Sequence, residues 1–184
     1  MTKYNAIAEN PNSTVVAEYA PPKGRPVAFQ SEADLEKEFM RILTSQAYEQ
    51  VNIKSEADLI TNLRIQLSKL NNYEFSDTEW DKFFKTKIAN QNHSIADKAQ
   101  IIQEDHVQIL ERDNGEEKNI YFIDKENIHN NSLQVTNQYE TDTGAHTNRY
   151  DVTILVNGFP LVHMELKKRG VDIKEAFNQI NRYQ

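Results

Sequence analysis

The sequence predicts an α+β protein, an α/β/α sandwich in which a mixed, mainly antiparallel sheet is flanked by helices. Two features predict this class. Up to about residue 104 the apolar residues recur at helical spacing, and afterwards they alternate as they do in strands. Turn residues then divide the second half into short segments, as in antiparallel strands joined by turns. A run of helices followed by a run of strands is typical of this fold class.

The composition indicates a globular protein with one main core. The chain has 184 residues, of which 38% are hydrophobic and 27% charged, and its net charge of −7 argues against a protein that simply coats nucleic acid. No apolar run approaches the ~18 residues of a membrane span, and the first residues lack the apolar segment of a secretory signal. Without cysteine, disulfides and thiolate metal sites are excluded. We therefore expect a cytoplasmic protein without a membrane partner.

Residues 1–30 are expected to form an irregular segment, since four of the five prolines fall in it, with one short strand around 14–18. Residues 31–184 are expected to form one domain. Its helical part covers 31–104, and its strands, together with the candidate site, cover 105–184.

Four helices are expected in the helical part. The phrase Ser-Glu-Ala-Asp-Leu places an aspartate three residues after Ser31 and again after Ser55, which is the pattern of a capping box. Two copies are too few for a repeat architecture, so we interpret them as the same capping chemistry used twice. The third helix is expected to begin at Ser76, with aromatic residues in the core rather than in a base-stacking platform, and the fourth to span 94–103. The apolar positions at helical spacing are Leu35, Phe39, Ile42 and Leu43 in the first helix, Leu59, Leu63, Leu67 and Leu70 in the second, and Trp80, Phe83, Phe84 and Ile88 in the third.

Five strands and a final helix are expected after residue 105. A hairpin is predicted around the turn Asp113-Asn-Gly115. The helix is expected to start at Asp172, and because the chain ends inside it without a stop signal, we expect a C-terminally truncated piece of a larger protein. The strands are predicted at 107–110, 119–123, 133–140, 150–156 and 160–167.

The last two strands are expected to bring charged side chains onto one face. Side chains alternate along a strand, so Glu165 and Lys167 share a face, and Asp151 joins them if the even-numbered faces of both strands coincide. The odd-numbered face, which also carries Thr153, Leu155, Leu161 and His163, is expected to be functional. The even-numbered face is expected to lie in the core, and its residues are Val152, Ile154, Val156, Val162, Met164 and Leu166.

The turn between these strands decides whether the candidate site exists. A two-residue loop at Asn157-Gly158 pairs residue 156 with 159, and this register puts Asp151 on the wrong face. A three-residue loop of residues 156–158, with Gly158 left-handed, or a β-bulge restores the register. We therefore expect an odd-length loop or a bulge, and a two-residue hairpin without a bulge would exclude the shared site.

With that register, two carboxylates and an ammonium group converge. Oxygen ligands of this kind suit Mg²⁺, with Mn²⁺ as the alternative, and the backbone carbonyl of Leu166 is a further candidate ligand. A bound metal would activate a water molecule, while Lys167 would hold that water and offset phosphate charge. Glu-x-Lys alone is a weak signal, because it also occurs at Glu116-Glu-Lys118 in a polar turn. The alternative is a ladder of surface salt bridges, which contributes little stability.

The region from Asn148 onward also differs in charge and adds a helical pair. It carries six Lys/Arg and four acids, a net +2, which leaves −9 for the rest of a chain whose total is −7. A basic patch beside carboxylates suits a phosphodiester substrate, although an ordinary mixed surface gives the same count. Gln179 and Tyr183, four residues apart, share one edge of the last helix. They would reach the DNA backbone or support the metal ligands, or else form a helix boundary with a half-buried tyrosine.

Besides the N-terminal segments I-A-E and S-E-A-D-L-E, which are similar especially to the type IC branch, three segments together resemble the amino-terminal nuclease domain of the restriction (R) subunit of type I restriction-modification enzymes. They are N-R-Y-D-V-T-I-L-V-N-G, V-H-M-E-L-K-K-R-G and E-A-F-N-Q-I-N-R-Y. An Asp followed by Glu-Leu-Lys and then by Q-x-x-x-Y is similar to the signature of RecB-like nucleases of the PD-(D/E)xK family. The resemblance covers essentially the whole chain and implies a restriction-endonuclease-like core.

By this resemblance, Asp151 and Glu165 would be metal ligands, and Lys167 would be the catalytic lysine. Gln179 and Tyr183 would form the accessory motif. A further acid in such nucleases comes from the first core helix, where Glu32 fits best, with Glu36 and Glu38 as alternatives. A carboxylate near a helix start is also favoured simply by the helix dipole.

The resemblance also implies partners and further domains. Double-stranded DNA would be the substrate, and methyltransferase and specificity subunits would recognise its sequence. ATP would be used only by motor domains outside this chain, which contains no G-x-x-x-x-G-K-[ST] loop. Two alternatives remain open: a non-catalytic docking domain of the same fold, and a free-standing RecB-like nuclease.

Overall fold

The computed structural model describes residues 31–142 and 147–167, with the backbone alone at 140–142 and 147–149. Over these residues the protein is α+β, with a mainly antiparallel sheet flanked by helices, as predicted. The predicted strand at 14–18 and the helix from Asp172 lie outside the described residues. The helices are α1 (Glu32–Ser45), α2 (Glu56–Asn71), α3 (Asp77–Phe83) and α4 (Ile95–Gln103), with a π-helical turn (Phe84–Ile88) and a 3-10 turn (Ile128–Asn130). The strands are β1 (Glu49–Gln50), β2 (Val107–Glu111), β3 (Glu117–Tyr121), β4 (Leu133–Asp142), β5 (Thr147–Val156) and β6 (Phe159–Met164).

Serine side chains start all four of these α-helices. Each serine hydroxyl accepts a hydrogen bond from the backbone N–H three residues later, and the acid at that position accepts one from the serine N–H. Two donors that a helix end leaves unpaired are thereby satisfied. The predicted helix starts are therefore confirmed. The pairs are Ser31–Asp34, Ser55–Asp58, Ser76–Glu79 and Ser94–Asp97.

The third helix differs from the prediction after Phe83. There the regular α-helix gives way to the π-helical turn, in which the N–H of Ala89 donates to the carbonyl of Phe84 over 2.7 Å. Within the part of the chain that the structure describes, no helix combines the length and apolarity needed to cross a membrane.

Among the described residues, the main sheet has four strands in the order β1-β4-β5-β6. β4, β5 and β6 form an antiparallel meander, whereas β1 pairs in parallel with β4 through Glu49↔Gln134 and Gln50↔Val135. The sequence does not reveal β1, because its two residues are exposed and too few to show a periodicity. This parallel pairing makes the sheet mixed.

The predicted β-hairpin forms a separate two-stranded sheet instead of joining the main one. β2 and β3 pair antiparallel around a turn in which Gly115 has φ 82°. Their inward side chains, Leu110 and Ile120, are buried in an aromatic core that they share with α2 and α3. The prediction that the aromatic residues of the third helix belong to the core is confirmed. The other buried members of this core are Leu63, Leu67, Phe75, Trp80, Phe83, Phe122 and Phe159.

Helices cover both faces of the main sheet. On one face, Met40 and Leu43 of α1 pack against Val135 and Val152. On the other face, Leu59 of α2 packs in a cluster built around Ile53, Tyr139 and Leu155. The three layers of the predicted sandwich are therefore present.

The turn between β5 and β6 is a two-residue loop. Asn157 and Gly158 have φ of 49° and 85°, the left-handed pair that a type I′ turn requires. Of the two expected alternatives, an odd-length loop or a bulge, the odd-length loop is not the one present. Asn157 is fully buried because its side chain anchors the turn: it accepts a hydrogen bond from the N–H of Ser132 at 2.7 Å and donates to the carbonyl of Phe122 at 3.0 Å. Gly158 lies against α2, where an added Cβ would be 2.7 Å from the Cα of Leu63.

A β-bulge follows this turn, as expected. Leu161 has no partner in β5, although the residues on either side of it are paired. The extra residue shifts the register by one, so that even-numbered residues lie opposite each other, as in the pair Val152↔Met164. This is the register that the shared site of Asp151 and Glu165 requires.

Three other expectations about these strands are wrong. β6 ends at Met164, so residues 165–167 follow the strand instead of belonging to it. Thr153 and Leu155 of the odd-numbered face are 1% and 0% exposed, so only part of that face is accessible. Val162, expected in the core, is 44% exposed because it lies on β6, an edge strand of the described sheet.

Candidate active site

The candidate site lies where β5 and β6 separate. The backbone ladder between these strands stops at the pair Val152↔Met164. Beyond it, the Asp151 carboxylate accepts a hydrogen bond of 2.8 Å from the backbone N–H of Leu166. The side chain of Asp151 thus connects β5 to the segment that follows β6, where the two strands are no longer paired. This contact orients the carboxylate towards residues 165–167.

The carboxylate of Glu165 is buried and close to charged groups. Its side chain is only 2% exposed, and neither oxygen has a hydrogen-bond partner among the described residues. The ammonium group of Lys167 lies 3.9 Å from one of these oxygens, with 22% of the lysine side chain exposed. Burying an ionised carboxylate without close partners costs free energy. Such a group is therefore suited to receive a cation.

The surroundings raise the pKa of Glu165 to about 7. Burial is the largest cause, and the negative charge of Asp151 acts in the same direction. Lys167 opposes the shift, while Glu32 adds a smaller repulsion. Perturbed carboxylates that repel one another are concentrated at functional sites.

The three candidate acids of α1 lie in different environments. The negative charge of Glu32 contributes to the raised pKa of Glu165. Glu38 is exposed and pairs with an arginine of the same helix at 2.7 Å. Glu36 binds two side-chain amides of β4. Of the three, Glu32 is thus the one that raises the pKa of Glu165.

The donor set fits an open magnesium-type site better than a closed structural one. Asp151 and Glu165 supply two carboxylates, and the carbonyl of Leu166 belongs to the residue that follows Glu165. Across residues 31–142 and 147–167, no group of three or more His, Cys, Asp or Glu side chains could hold a metal ion. Mg²⁺ needs only one or two carboxylates when water and substrate phosphates complete its shell. Gln179 and Tyr183 lie outside the described residues.

An aromatic stack adjoins the carboxylates. The ring centroids of His163 and Tyr150 are 4.0 Å apart, and both rings lie nearly parallel to Tyr139. The Nδ1 atom of His163 is 2.9 Å from the hydroxyl of Thr153, and burial lowers the pKa of the imidazole. The sequence indicates that His163 shares a face with Glu165, but the two tyrosines could be added only with the register of β4 and β5.

Comparison with known proteins gives a consistent result. The family described as "Type I restriction enzyme R protein N terminus" matches residues 29–184. A curated protein of Escherichia coli, the type I restriction enzyme EcoprrI endonuclease subunit, is 45% identical over 178 residues. The match covers 96% of this chain and 56% of that protein.

Two staphylococcal proteins are similar over a shorter stretch. The type I restriction enzyme SsaAORF53P endonuclease subunit of Staphylococcus saprophyticus is 41% identical over 162 residues, which are 85% of this chain and 17% of that protein. The SauMSSORF170P endonuclease subunit of Staphylococcus aureus (strain MSSA476) is 40% identical with the same coverage. The chain thus spans about half the length of the first of these relatives and a much smaller share of the others.

Proposed function

Because this chain belongs to the family of type I restriction enzyme R proteins, whose N-terminal region it matches, we propose that it cleaves DNA. The proposed reaction is the metal-dependent hydrolysis of phosphodiester bonds in double-stranded DNA. The observation that supports it best is the buried carboxylate of Glu165, which lacks hydrogen bonds from the described residues and lies beside Asp151 and Lys167.

Asp151 and Glu165 would hold Mg²⁺, with Mn²⁺ as the alternative, together with the backbone carbonyl of Leu166. The bound cation would lower the pKa of a water molecule and offset the charge that develops on the phosphate. The protein itself keeps two repelling carboxylates close together. The N–H of Leu166 orients Asp151, and burial removes the water that would otherwise solvate Glu165.

Lys167 would act on the attacking water and on the phosphate. Its ammonium group lies 3.9 Å from Glu165 and is partly exposed, so it has access both to the carboxylates and to a substrate. From there it would donate a hydrogen bond to the water or to a phosphate oxygen. A cation in this place stabilises the negative charge that increases during the reaction.

Three further residues would support the reaction. Glu32, whose charge acts on Glu165, would strengthen the attraction for a cation. Gln179 and Tyr183, which match the Q-x-x-x-Y part of the family signature, would contact the DNA backbone or support the metal ligands.

The activity of the complete protein is a wider proposal, because this chain spans 56% of the Escherichia coli relative and 17% of the staphylococcal ones. The full-length subunit would couple cleavage to ATP-driven translocation of DNA. It would do so in the cytoplasm, with methyltransferase and specificity subunits. The G-x-x-x-x-G-K-[ST] loop is not found in these 184 residues, so ATP binding of that type would belong to other domains.

The test compares DNA cleavage by the full-length protein, with its partner subunits, ATP and Mg²⁺, before and after substitution. Asp151→Ala, Glu165→Ala and Lys167→Ala should each slow cleavage by at least about 10²-fold while ATP hydrolysis continues. The second Glu-x-Lys sequence provides a matched control. Glu116→Ala removes an exposed carboxylate that pairs with Arg112 at 2.6 Å, and it should leave cleavage unchanged.

Normal cleavage by the three site variants would rule out this nuclease site. If they cut DNA normally while deletion of the domain prevents assembly of the complex, the domain docks the motor and is not catalytic.

A further inference from the structure

The ladder between β4 and β5 is interrupted beside Asp151. The pairs Asn137↔Val152 and Tyr139↔Tyr150 lie on either side of the interruption and share one register. Gln138 has φ 56°, in the left-handed region that residues with a side chain rarely adopt. Such a conformation persists only when the surrounding structure enforces it.

Side chains change faces at this interruption. Val135 and Val152 pack against α1 on one face of the sheet. Tyr139 follows Val135 by four residues on β4, and Tyr150 precedes Val152 by two residues on β5. Regular alternation would therefore put both tyrosines on the same face as the valines. They pack instead in the cluster on the opposite face. Asp151 therefore lies at the position in β5 where the side chains change faces, between Tyr150 and Val152.

Glu36 of α1 binds two side chains at the interruption. Its carboxylate accepts a hydrogen bond of 2.7 Å from the side-chain amide of Asn137 and a second one from the side-chain amide of Gln138. Lys54 adds a hydrogen bond to the backbone carbonyl of Asn137. Successive side chains of a regular strand point to opposite faces. Here both amides reach the same carboxylate, and the backbone departs from regular strand geometry at Gln138.

We propose that Glu36 is a positioning residue for the cleavage reaction: it holds Gln138 in the left-handed conformation and thereby fixes the orientation of the Asp151 carboxylate. The inference rests on the proposed function, since it gives Asp151 a part in cleavage. Both oxygens of Glu36 are engaged by amides, so it acts through the strand and not as a metal ligand.

The test is a rescue experiment in the full-length protein with partner subunits, ATP and Mg²⁺. Glu36→Ala should lower kcat about 10- to 100-fold with KM changed less than about twofold, because small displacements of a reacting group have large effects on rate. Adding Gln138→Gly should restore kcat to within about threefold, because glycine adopts positive φ without a clamp. Glu38→Ala, on the same helix, removes an exposed acid paired with Arg41 and should have no effect.

Normal cleavage by Glu36→Ala, or a double variant as slow as the single one, would overturn the proposal. If Glu36→Ala does not fold, Glu36→Gln replaces it, since it retains one acceptor oxygen, and the expected glycine rescue is the same.

A crystal structure of the Glu36 variant separates this proposal from the proposed function. Residue 138 should return to an extended conformation, and a residue 138 that stays left-handed would refute the clamp whatever the assay shows. Asp151→Ala in the same assay tests the cleavage function itself.

Discussion

Glu165 shows at the scale of one residue how a site can oppose the stability of the fold. The carboxylate is buried, receives no hydrogen bond from the described residues, and lies beside another acid. Each of these conditions disfavours the ionised form. A neutral side chain would be more favourable for stability at this position, which is why a metal-binding role for Glu165 is proposed.

Glu165→Gln should stabilise this chain in metal-free buffer at alkaline pH. Burial, with the charge of Asp151, raises the folded-state pKa to about 7, above the ordinary value that the group has when unfolded. The wild-type carboxylate therefore destabilises the protein increasingly as pH rises between these two pKa values, and fully above about 7. The variant should be more stable by about 1–3 kcal/mol at pH 8 and by much less at pH 5.

Thermal unfolding in EDTA at the two pH values measures this difference. Glu116→Gln, at an exposed acid, should change stability by less than about 0.5 kcal/mol. A Glu165→Gln variant that is less stable than wild type at pH 8 would show that the carboxylate has a stabilising partner.

At the scale of the element, the bulge at Leu161 sets the register of the strands that lead to the candidate site. The two-residue turn pairs Val156 with Phe159, and the one extra residue shifts the register so that Val152 pairs with Met164, the last pair before Asp151 and Glu165. The side chain of Leu161 is 42% exposed. Its contribution is thus the length that it adds to the strand.

Deleting Leu161 should abolish cleavage, whereas Leu161→Ala should not. The deletion turns the side chains of one strand to the other face, so we expect a loss of at least about 10²-fold together with a lower melting temperature. The alanine variant keeps the register and should cleave within about twofold of wild type. Cleavage assays with circular dichroism measure both effects, and a deletion variant that still cuts DNA would refute the role of the register.

The bulge could be predicted from sequence, because the apolar residues of both strands are even-numbered and have to share one face. The length of the loop could not be predicted. Asn157 is the reason, because the atoms that anchor it belong to Ser132 and Phe122, far away along the chain. The left-handed conformation of Gln138 could not be predicted either, because Glu36, the acid that binds its side chain, lies far away on α1. Motifs on one or two adjacent strands are thus readable in a sequence, whereas features fixed by distant partners are not.

At the scale of the whole molecule, the aromatic core supports the strand that leads to the site. Phe159, at the start of β6, is buried in this core together with Leu67 of α2 and the inward residues of the hairpin. The helical half and the small sheet therefore stabilise the position of the last two strands. This explains why the domain needs many residues that are remote from its candidate site.

Leu67→Ala should destabilise the whole chain by about 2–5 kcal/mol, because it leaves a cavity among closely packed side chains. Leu67 has no exposed surface, whereas Ile65, on the same helix, is 57% exposed. Ile65→Ala should therefore change stability by less than about 0.5 kcal/mol. Urea unfolding monitored at Trp80 measures both variants, and equal stabilities would contradict a core centred on this part of α2.

The parallel pairing of β1 with β4 has a consequence for the synthesis of the protein. Its first pair joins Glu49 to a residue 85 positions later. At about 5–20 residues per second, a ribosome needs roughly 4–17 s to cover that distance. During this interval α1 has no strand to cover its apolar side chains, Met40 and Leu43. The nascent chain therefore exposes these apolar side chains until β4 emerges, and the sheet can close only afterwards.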